Sequence, residues 1–550
     1  MRYQCAVAWM VTHCMNFDYI IVGGGSAGCV LANRLSASGR DSVLLLEAGP
    51  GDKRPYIQMP LGYGKVYYDE RVNWKYQTEP VPGLNHRPSY WPRGRVLGGS
   101  SSINAMVYVR GHPSDYKDWS AVVEGWDWSD VEPVFKRMED WSGEFSESRG
   151  IGGPLSVRDM SSDAHPLCQT YLKAAEQCQI PFNADYNAQD MEGAALYQIN
   201  TRDGLRASAS TCYLRPAMGR HNLTVITRAQ VTKILFDHNT AVGVSYQCGG
   251  VTHLVNARRE IILSAGAINS PQLLQLSGVG PREVLQKFGI PIVQDLSEVG
   301  RNLQDHLGAD LVCRTNVNTL NQELRPMLGK LKVGLEFLFK RTGPLTLSLN
   351  QAGGFVSTDP SSATPDLQLY FSPVSYTRAP VGTRPLISPD PFPGFLIGFN
   401  PCKPTSRGFL EIQSADPMQA PKLAPNYLDT QHDRDLMMDG LTLMRKMTAT
   451  AAFEHVIEEE ILPGSNVSSD SDLMEYIKDN AWTVFHQCGT CCMGDDEKKS
   501  VVDNKLRVNG IQGLRVADAS VFPTIPTGNT NAPSIMVGER AAEFITQDNR

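Results

Sequence analysis

A glycine-rich turn between two apolar runs constrains the N-terminal part of the fold more than any other feature. Residues 19–22 are apolar and rich in β-branched side chains, as expected for a buried strand. A G-x-G-x-x-G pattern comes directly after them, and its glycines are Gly23, Gly25 and Gly28. Residues 29–35 have a helical pattern, and a second apolar run, residues 43–46, ends in Glu47. This order predicts a β-α-β unit.

Each part of this unit has a task in binding a dinucleotide. The first glycine permits the tight turn, the second lets backbone N–H groups approach a pyrophosphate, and the third lets helix pack on strand. Ser26 lies in the turn, where the helix N-terminus offers unpaired N–H groups and a partial positive charge to phosphates. Glu47, nineteen residues past Gly28, is placed to bind ribose hydroxyls. We therefore predict a dinucleotide site, the alternative being a β-α-β unit whose turn is only structural.

Length and charge limit the class of protein. At 550 residues the chain is too long for one compact core, which predicts two domains. Its net charge of −7 argues against a nucleic-acid-binding surface. Twelve cysteines are scattered without a secretory signal, which favours reduced thiols and a cytoplasmic location. One long uncharged run, residues 261–280, contains Ser, Asn, Gln, Gly and Pro, so we predict no transmembrane helix.

The first sixteen residues differ in character from the rest of the chain. They contain one arginine and an apolar run, residues 6–11, that is short for a signal peptide. We predict that residues 1–16 form a disordered extension, or that Met15 is the true start.

Two further motifs contain glycines. In residues 91–106, small residues let the backbone lie against a flat ligand and serines supply hydroxyl donors; the alternative is a surface loop. The positions of interest there are Gly98, Gly99, Ser100, Asn104 and Met106. In residues 266–280, which come after an apolar strand at 261–265, Ser270 and Pro271 suit the N-cap and first position of a helix. An ordinary capped helix would show the same residues.

Taken together, the three motifs resemble the glucose–methanol–choline (GMC) oxidoreductase family of flavoproteins, from Asp18 to the C-terminus. The texture is most similar to the alcohol and choline dehydrogenases, through residues 98–111 and 298–306. The resemblance implies FAD rather than NAD, with Val231 near the adenine and Asp518 near the ribityl chain. The cofactor residues expected from the motifs and the resemblance are Gly23, Gly25, Ser26, Gly28, Glu47, Gly98, Gly99, Ser100, Asn104, Met106, Val231, Asp518 and Asn529.

The middle of the chain predicts a second domain. Residues 366–371 alternate apolar and polar side chains, as in a half-buried strand, and residues 395–399 and 409–413 are further strand candidates. Met437, Leu441 and Met444 mark an amphipathic helix.

The fold class we expect is α/β (α+β overall), with two interleaved domains. A Rossmann-type FAD-binding domain covers residues 17–315 and 505–550, and an antiparallel-sheet substrate domain covers residues 316–504. Residues 334–339 are largely apolar and have Lys330, Lys332, Lys340 and Arg341 around them. This segment is either the edge of a solvated helix or a peripheral contact with a membrane surface.

Chemistry concentrates near the C-terminus. A histidine such as His486, beside aromatic and small residues, is by itself more often structural than catalytic. The resemblance assigns it as the catalytic base and places Asn531 opposite it. Cys488, Cys491 and Cys492 include a C-x-x-C pattern, but no second pair stands at ligand spacing, so we predict no metal site.

Alcohol oxidation requires a hydride to leave carbon for flavin N5 and a proton to leave the hydroxyl. A neutral histidine with a pKa near the working pH suits the proton transfer, and an amide opposite can donate to the oxygen. We expect oxidation of a primary alcohol to an aldehyde, with His486 as base, Asn531 as partner, and oxygen or a quinone-like carrier as electron acceptor. Two alternatives stay open, an FAD-containing lyase of the same fold and an NAD-dependent dehydrogenase, which the second and third motifs disfavour.

Two positions bear on choline as the substrate. Some choline-oxidising relatives tether FAD through a histidine where this chain has Ile103, which predicts non-covalent FAD. At the position of Gln351 such relatives carry a glutamate that faces the trimethylammonium group. A neutral amide cannot offset the desolvation of a cation, which favours an uncharged alcohol, although aromatic faces also bind such cations.

Overall fold

Two seven-stranded sheets organise the fold. The computed structural model describes residues 15–359, 361–376 and 388–549. The strands of the two sheets, in chain order, are Met15–Val22 (β1), Val43–Glu47 (β2), Gly193–Leu196 (β3), Leu223–Thr227 (β4), Ala229–Asp237 (β5), Thr240–Cys248 (β6), Val251–Leu263 (β7), Leu307–Thr315 (β8), Ala352–Val356 (β9), Leu367–Ser372 (β10), Gly394–Pro401 (β11), Ile457–Leu462 (β12), Trp482–Thr483 (β13) and Leu514–Val516 (β14).

Shorter strands pair with one another outside these sheets. They are Tyr76–Gln77 with Tyr90–Trp91, Glu139–Trp141 with Leu155–Val157, Thr201–Arg202 with Leu205–Arg206, Val279–Gly280 with Gln294–Asp295, and Phe409–Glu411 with Lys422–Ala424.

Fifteen α-helices lie in the part of the chain that the structure describes. They are Ser26–Leu35 (α1), Pro55–Gln58 (α2), Tyr63–Val66 (α3), Pro113–Ser120 (α4), Trp128–Met138 (α5), Leu167–Gln177 (α6), Arg215–Ala217 (α7), Gly266–Leu276 (α8), Arg282–Lys287 (α9), Leu320–Leu324 (α10), Met327–Lys340 (α11), Gln431–Thr448 (α12), Ala451–Glu454 (α13), Asp470–Asn480 (α14) and Asn531–Asp548 (α15). Within the same residues, none of the helices combines the length and apolar character needed to cross a bilayer.

The first sheet is built around the predicted β-α-β unit. Its order is β4-β2-β1-β7-β6-β5, and β14 pairs with β7. The pairs among β4, β2, β1, β7 and β14 are parallel, whereas β5, β6 and the first half of β7 are antiparallel. All five residues of β2 are buried, because parallel sheets of this kind carry helices on both faces.

The second sheet is antiparallel throughout, in the order β12-β8-β11-β10-β9-β3, with β13 on β8. Strand β10 was predicted to be half-buried, but all six of its residues are buried. Leu367, Leu369 and Phe371 pack in one apolar cluster with Met437 of α12. Tyr370, on the opposite face, belongs to a different apolar cluster. Both faces of the strand are therefore covered by protein.

This architecture confirms the predicted fold class, a parallel Rossmann-type sheet interleaved with an antiparallel sheet, but the predicted boundaries were wrong. Strands β3 and β8 belong to the second sheet, although both fall within the range assigned to the FAD-binding domain. Met15 and Asn16 already pair with Val255 and Asn256 in the first sheet. The rest of the predicted extension lies outside the described residues, as does most of the proline-rich stretch 380–393.

The third motif departs from its prediction in one respect. Helix α8 begins at Gly266, so Pro271 lies inside it rather than at its first position. Pro271 has no N–H to donate to the carbonyl of Ala267, and the Thr490 hydroxyl donates to that carbonyl instead, over 2.6 Å. Ser270 does not cap the helix; its hydroxyl donates to Asp518 over 2.6 Å.

Candidate active site

The three sequence motifs meet around one cavity of about 1090 Å³, counting the part that is open to solvent. The predicted cofactor residues that line it are Gly23, Gly25, Ser26, Glu47, Gly99, Ser100, Val231 and Asp518. Segments that are distant in sequence thus form a single wall.

Backbone contacts hold the three motifs together. The N–H of Gly98 donates to the carbonyl of Gly24 over 2.7 Å. A Cβ at Gly99 would lie 2.7 Å from Gly25 Cα, and one at Gly23 would lie 2.5 Å from the Ser264 carbonyl oxygen. These distances are shorter than any side chain tolerates, so glycine is required at both positions for the motifs to touch.

Two other glycines leave room in the cavity. Gly266, at φ +86°, would place a Cβ with no atom within 4 Å, and a Cβ at Gly25 would meet only the Ser264 carbonyl oxygen, at 3.6 Å. Helix α1 begins at Ser26 with no side chain bonded to its first N–H groups. Open space beside uncapped N–H groups suits a pyrophosphate, so the residues present fit a dinucleotide such as FAD.

The two acids of the cavity wall are held by hydrogen bonds. Glu47 accepts from the N–H groups of Gly24 and Gly49, over 2.9 and 2.7 Å, and burial raises its pKa to about 7. Asp518 accepts from the N–H of Gly266 over 2.9 Å, besides the Ser270 hydroxyl. Asp518 Oδ1 accepts from the N–H of Ser520 over 2.8 Å. A second lone pair therefore remains on each Glu47 oxygen and on Asp518 Oδ1, so both acids can still accept from ligand hydroxyls.

The other predicted cofactor residues do not line this cavity. A Cβ at Gly28 would lie 1.9 Å from the Gly23 carbonyl oxygen, and one at Gly98 would lie 2.2 Å from Ser102 Oγ. Asn104 accepts from the N–H of Met106, which is buried with φ +67°. The first two pack the turns tightly, and the Asn104–Met106 contact shapes the end of the second motif.

A bulge in an antiparallel pairing positions His486. Strand β13 pairs with the start of β8 through Leu307 and Thr483, and the N–H of Val484 donates to the His306 carbonyl. Gln304 and Cys488 then exchange both backbone hydrogen bonds. Between these pairs, residues 485–487 stand opposite residue 305 alone, and such bulges redirect side chains.

Asp305 fills the bulge. Its buried carboxylate accepts from the N–H of His486, the Gln487 amide and the Thr483 hydroxyl, over 2.8, 2.8 and 2.5 Å, and from the hydroxyl of Tyr427. Burial raises its pKa to about 6. The loop around His486 is thus fixed by a side chain that directly precedes His306.

Arg93 holds the same loop from the cavity side. Its guanidinium donates to the Phe485 carbonyl over 2.7 Å and to Gln487 Oε1 over 2.8 Å, and Arg93 also lines the cavity. Phe485 has φ +69°, a left-handed conformation that costs energy for a bulky residue and persists only when neighbours impose it. Arg93 lies in the second motif, although nothing in the sequence pattern indicated this role.

The His486 side chain contacts a second histidine. His306 Nδ1 and His486 Nδ1 are 2.9 Å apart, and His306 Nε2 lies 2.8 Å from the Cys402 carbonyl oxygen. Burial lowers the pKa of His306 to about 4. Burial, with added effects of His306 and Arg93, lowers the pKa of His486 well below 6.5. Both rings are therefore neutral near pH 7, and the pKa of His486 lies below the working range that we expected.

These contacts fix the proton on each ring. A carbonyl only accepts, so His306 Nε2 carries the proton of that ring and its Nδ1 is bare. His486 must then donate from Nδ1, which leaves a lone pair on its Nε2. The unprotonated ring nitrogen of His486, Nε2, is therefore the one that lies away from His306, and it accepts a hydrogen bond from the Asn529 amide N–H.

The residue that meets this nitrogen is Asn529, not Asn531. The Asn529 amide lies 3.0 Å from His486 Nε2, and its oxygen accepts from Gln368 of β10 over 3.1 Å. Asn531 accepts instead from the Ser26 hydroxyl over 2.8 Å. The predicted pairing of Asn531 with His486 is wrong, because α15 begins at Asn531 and directs it to the first turn of α1.

The remaining candidates lie in apolar or engaged positions. Cys488 and Cys491 are buried, and burial raises the pKa of both thiols well above 9. Among the described residues, no group of three or more His, Cys, Asp or Glu could hold a metal ion. Gln351 is buried, and its amide oxygen accepts from the N–H of His165 over 2.7 Å.

Comparison with known proteins extends over nearly the whole chain. Residues 17–308 and 404–538 match the N- and C-terminal models of the GMC oxidoreductases. The chain is 42% identical to an alcohol dehydrogenase [acceptor] of Pseudomonas putida, covering 96% of both proteins. It is 41% identical to an oxygen-dependent choline dehydrogenase of Photobacterium profundum, covering 96% of this chain and 93% of that protein.

A solved structure shares the fold. The formate oxidase of Aspergillus oryzae, in a variant made to study FAD modification, matches 98% of this chain and 99% of its own length. The TM-score is 0.90 and the sequence identity is 26%. The family resemblance seen in the sequence is confirmed: the chain belongs to the GMC oxidoreductase family.

Proposed function

We propose that this oxidoreductase uses FAD to oxidise a primary alcohol to an aldehyde, with His486 as the general base. The observation that carries the proposal is the contact of His486 Nδ1 with His306, from which an unprotonated Nε2 follows, together with the Asn529 amide nitrogen 3.0 Å from that Nε2. A relative named alcohol dehydrogenase, 42% identical over 96% of the chain, supports the substrate class. The electrons then pass to oxygen or to a quinone-like carrier.

The residues divide the work of one proton transfer. FAD, when bound, supplies the hydride acceptor. His486 Nε2 takes the hydroxyl proton, and the Asn529 N–H donates to the alcohol oxygen as it gains negative charge. Ser26, the first turn of α1, Glu47 and Asp518 would hold the pyrophosphate and the hydroxyls of the cofactor.

His306 and Asp305 are positioning residues for this base. His306 accepts from His486 Nδ1 and so leaves Nε2 unprotonated, and the His306 lone pair then stabilises the imidazolium that forms. Asp305 fixes the backbone N–H of the same histidine. Burial and the Arg93 charge keep His486 neutral until substrate arrives.

Charge around the base favours a neutral alcohol over choline. The Arg93 guanidinium lies close enough to lower the pKa of His486, so it also opposes a quaternary ammonium group. Gln351 is neutral and is already bonded to His165. Choline remains the second candidate because a choline dehydrogenase is 41% identical to this chain.

The proposed substrate class predicts which compounds bleach the flavin. Under anaerobic conditions, neutral primary alcohols should reduce the bound flavin faster than choline at equal concentration, because Arg93 disfavours a cation. Stopped-flow absorbance over a panel of alcohols measures this. Higher efficiency with choline than with every neutral alcohol would contradict it, and a flavin that no alcohol bleaches would favour a lyase.

The FAD is expected to be held without a covalent bond. Ile103, where some relatives carry the tethering histidine, is buried and has no nucleophilic atom. Acid precipitation of the holoenzyme should therefore release the flavin into the supernatant. Yellow colour that stays in the washed pellet would exclude the non-covalent assignment.

Substitution of Asn529 and substitution of Asn531 should affect different properties of the enzyme. His486→Ala should slow anaerobic flavin reduction on the order of 10²–10⁴-fold, and Asn529→Ala on the order of 10²-fold, because both groups act on the alcohol oxygen. Asn531→Ala should instead weaken FAD retention, since it contacts Ser26. Reduction rates and FAD content of the three variants separate the roles. If only Asn531→Ala slowed flavin reduction, Asn531 rather than Asn529 would be the partner of His486.

The contact between the two histidines predicts that asparagine at position 306 preserves the rate of flavin reduction, whereas leucine does not. In His306→Leu the acceptor for His486 Nδ1–H is lost, which should slow reduction roughly 10–10²-fold, the value of a hydrogen bond to a charged group. His306→Asn keeps an acceptor oxygen near the Nδ1 position and should recover most of the rate. FAD content and melting temperature serve as controls for folding.

The pH profile gives an independent readout of the same pair. The active form of His486 is unprotonated, and its pKa is lowered well below 6.5, so the parent rate should stay level as pH falls through 6.5 and decline only below it. His306→Asn should keep this shape. Equal rates in the Leu and Asn variants would show that His306 only fills space.

A further inference from the structure

Helix α11 exposes more large apolar side chains than any other element among the described residues. Of the fifteen large hydrophobic side chains that are exposed there, six lie on this one helix. Their exposed fractions are Met327 81%, Leu328 81%, Leu331 58%, Leu335 46%, Leu338 59% and Phe339 77%. Only Val333 and Phe337 are buried and hold the helix to the protein.

The six side chains form one stripe. At 3.6 residues per turn they occupy about 120° of the helix circumference, opposite the buried side on which Val333 and Phe337 lie. An apolar stripe of this width normally faces a protein core or an apolar surface. In this chain it faces outward.

Positive charge borders the stripe. Lys330 lies along one edge and Lys332 along the other, and Lys340 and Arg341 stand at the C-terminal end. Glu336 is the single acid of the helix, in a chain whose net charge is −7. A basic border on an otherwise acidic protein complements an anionic surface.

We propose that the exposed face of α11 lies in the surface of an anionic lipid bilayer. The helix has fourteen residues, about 21 Å, which is too short to span the hydrocarbon core of about 30 Å. A second copy of the chain fits less well, because a symmetric contact through this face would bring the lysine borders together. The helix therefore lies on the membrane rather than across it.

The position of α11 in the fold gives the contact a consequence. The helix packs on α10 and on the turn Pro344–Thr346. Leu320 of α10 and Leu347, just after that turn, belong to the apolar cluster that contains Tyr370 and has Phe485 packed against it. Provided that the proposed function holds, an apolar alcohol or a quinone-like acceptor dissolved in the bilayer would meet the protein on a side whose apolar cluster extends to Phe485, next to His486.

Vesicle sedimentation of the holoenzyme tests the membrane contact without measuring turnover. The enzyme should sediment with phosphatidylcholine vesicles that contain phosphatidylglycerol, much less with phosphatidylcholine alone, and less again at high salt. Leu331→Ser/Leu335→Ser/Leu338→Ser should weaken partitioning by roughly tenfold or more, because three buried leucine side chains are lost.

A matched variant supplies the control. Val251 and Leu254 of β7 are 54% and 50% exposed, and the variant Val251→Ser/Leu254→Ser should bind vesicles as the parent does. Equal binding by parent and triple variant, or no binding of the parent to anionic vesicles, would overturn the proposal. So would a parent dimer that the triple variant converts to monomer in analytical ultracentrifugation. Failure of alcohol oxidation with vesicle binding intact would overturn the proposed function alone.

Discussion

The exclusion of water from two touching histidine rings determines the chemistry of this site. Burial disfavours the protonated form of both His306 and His486, and His306 Nε2 is bonded to a backbone carbonyl, which can only accept. Only one arrangement of protons satisfies both conditions at neutral pH. The pairing of residues 304–308 with 482–488 creates the contact, so a feature of sheet register decides which nitrogen is basic.

The cofactor cavity depends on a different constraint, the close approach of backbones. Gly23, Gly28 and Gly99 are required because main chain lies where a Cβ would stand, whereas Gly25 and Gly266 lie beside open space. The same residue type thus serves packing at some positions and ligand volume at others. Arg93 joins the two regions, because it lines the cavity and holds the His486 loop.

Local patterns predicted the local structure. The β-α-β unit, its glycines and Glu47 follow from strand and helix periodicity within thirty residues, and the structure places them together at one cavity. The roles of Asp305 and His306 were missed because they arise from contacts across about 180 residues. Which asparagine meets His486 depends on where α15 begins, and a two-residue difference there moves a side chain from one site to another. The position of Pro271 within α8 was predicted wrongly because the Ala267 carbonyl, which proline leaves without a helical donor, accepts from the distant Thr490 hydroxyl.

Because α15 is the last helix of the chain, its contacts determine when the cofactor cavity can form during synthesis. This helix packs on α1, where a Cβ at Gly538 would lie 2.9 Å from Ala27 Cα, and its first residue bonds the glycine-rich turn. Strand β14, also from the C-terminal region, completes the parallel sheet beside β7. A nascent chain whose N-terminal half alone has left the ribosome therefore has the glycine-rich turn but an incomplete cavity. The cavity that fits the cofactor is complete only when Asp518 and Ser534 of the C-terminal segment have joined it, so a complete cavity exists only after both ends of the chain have met.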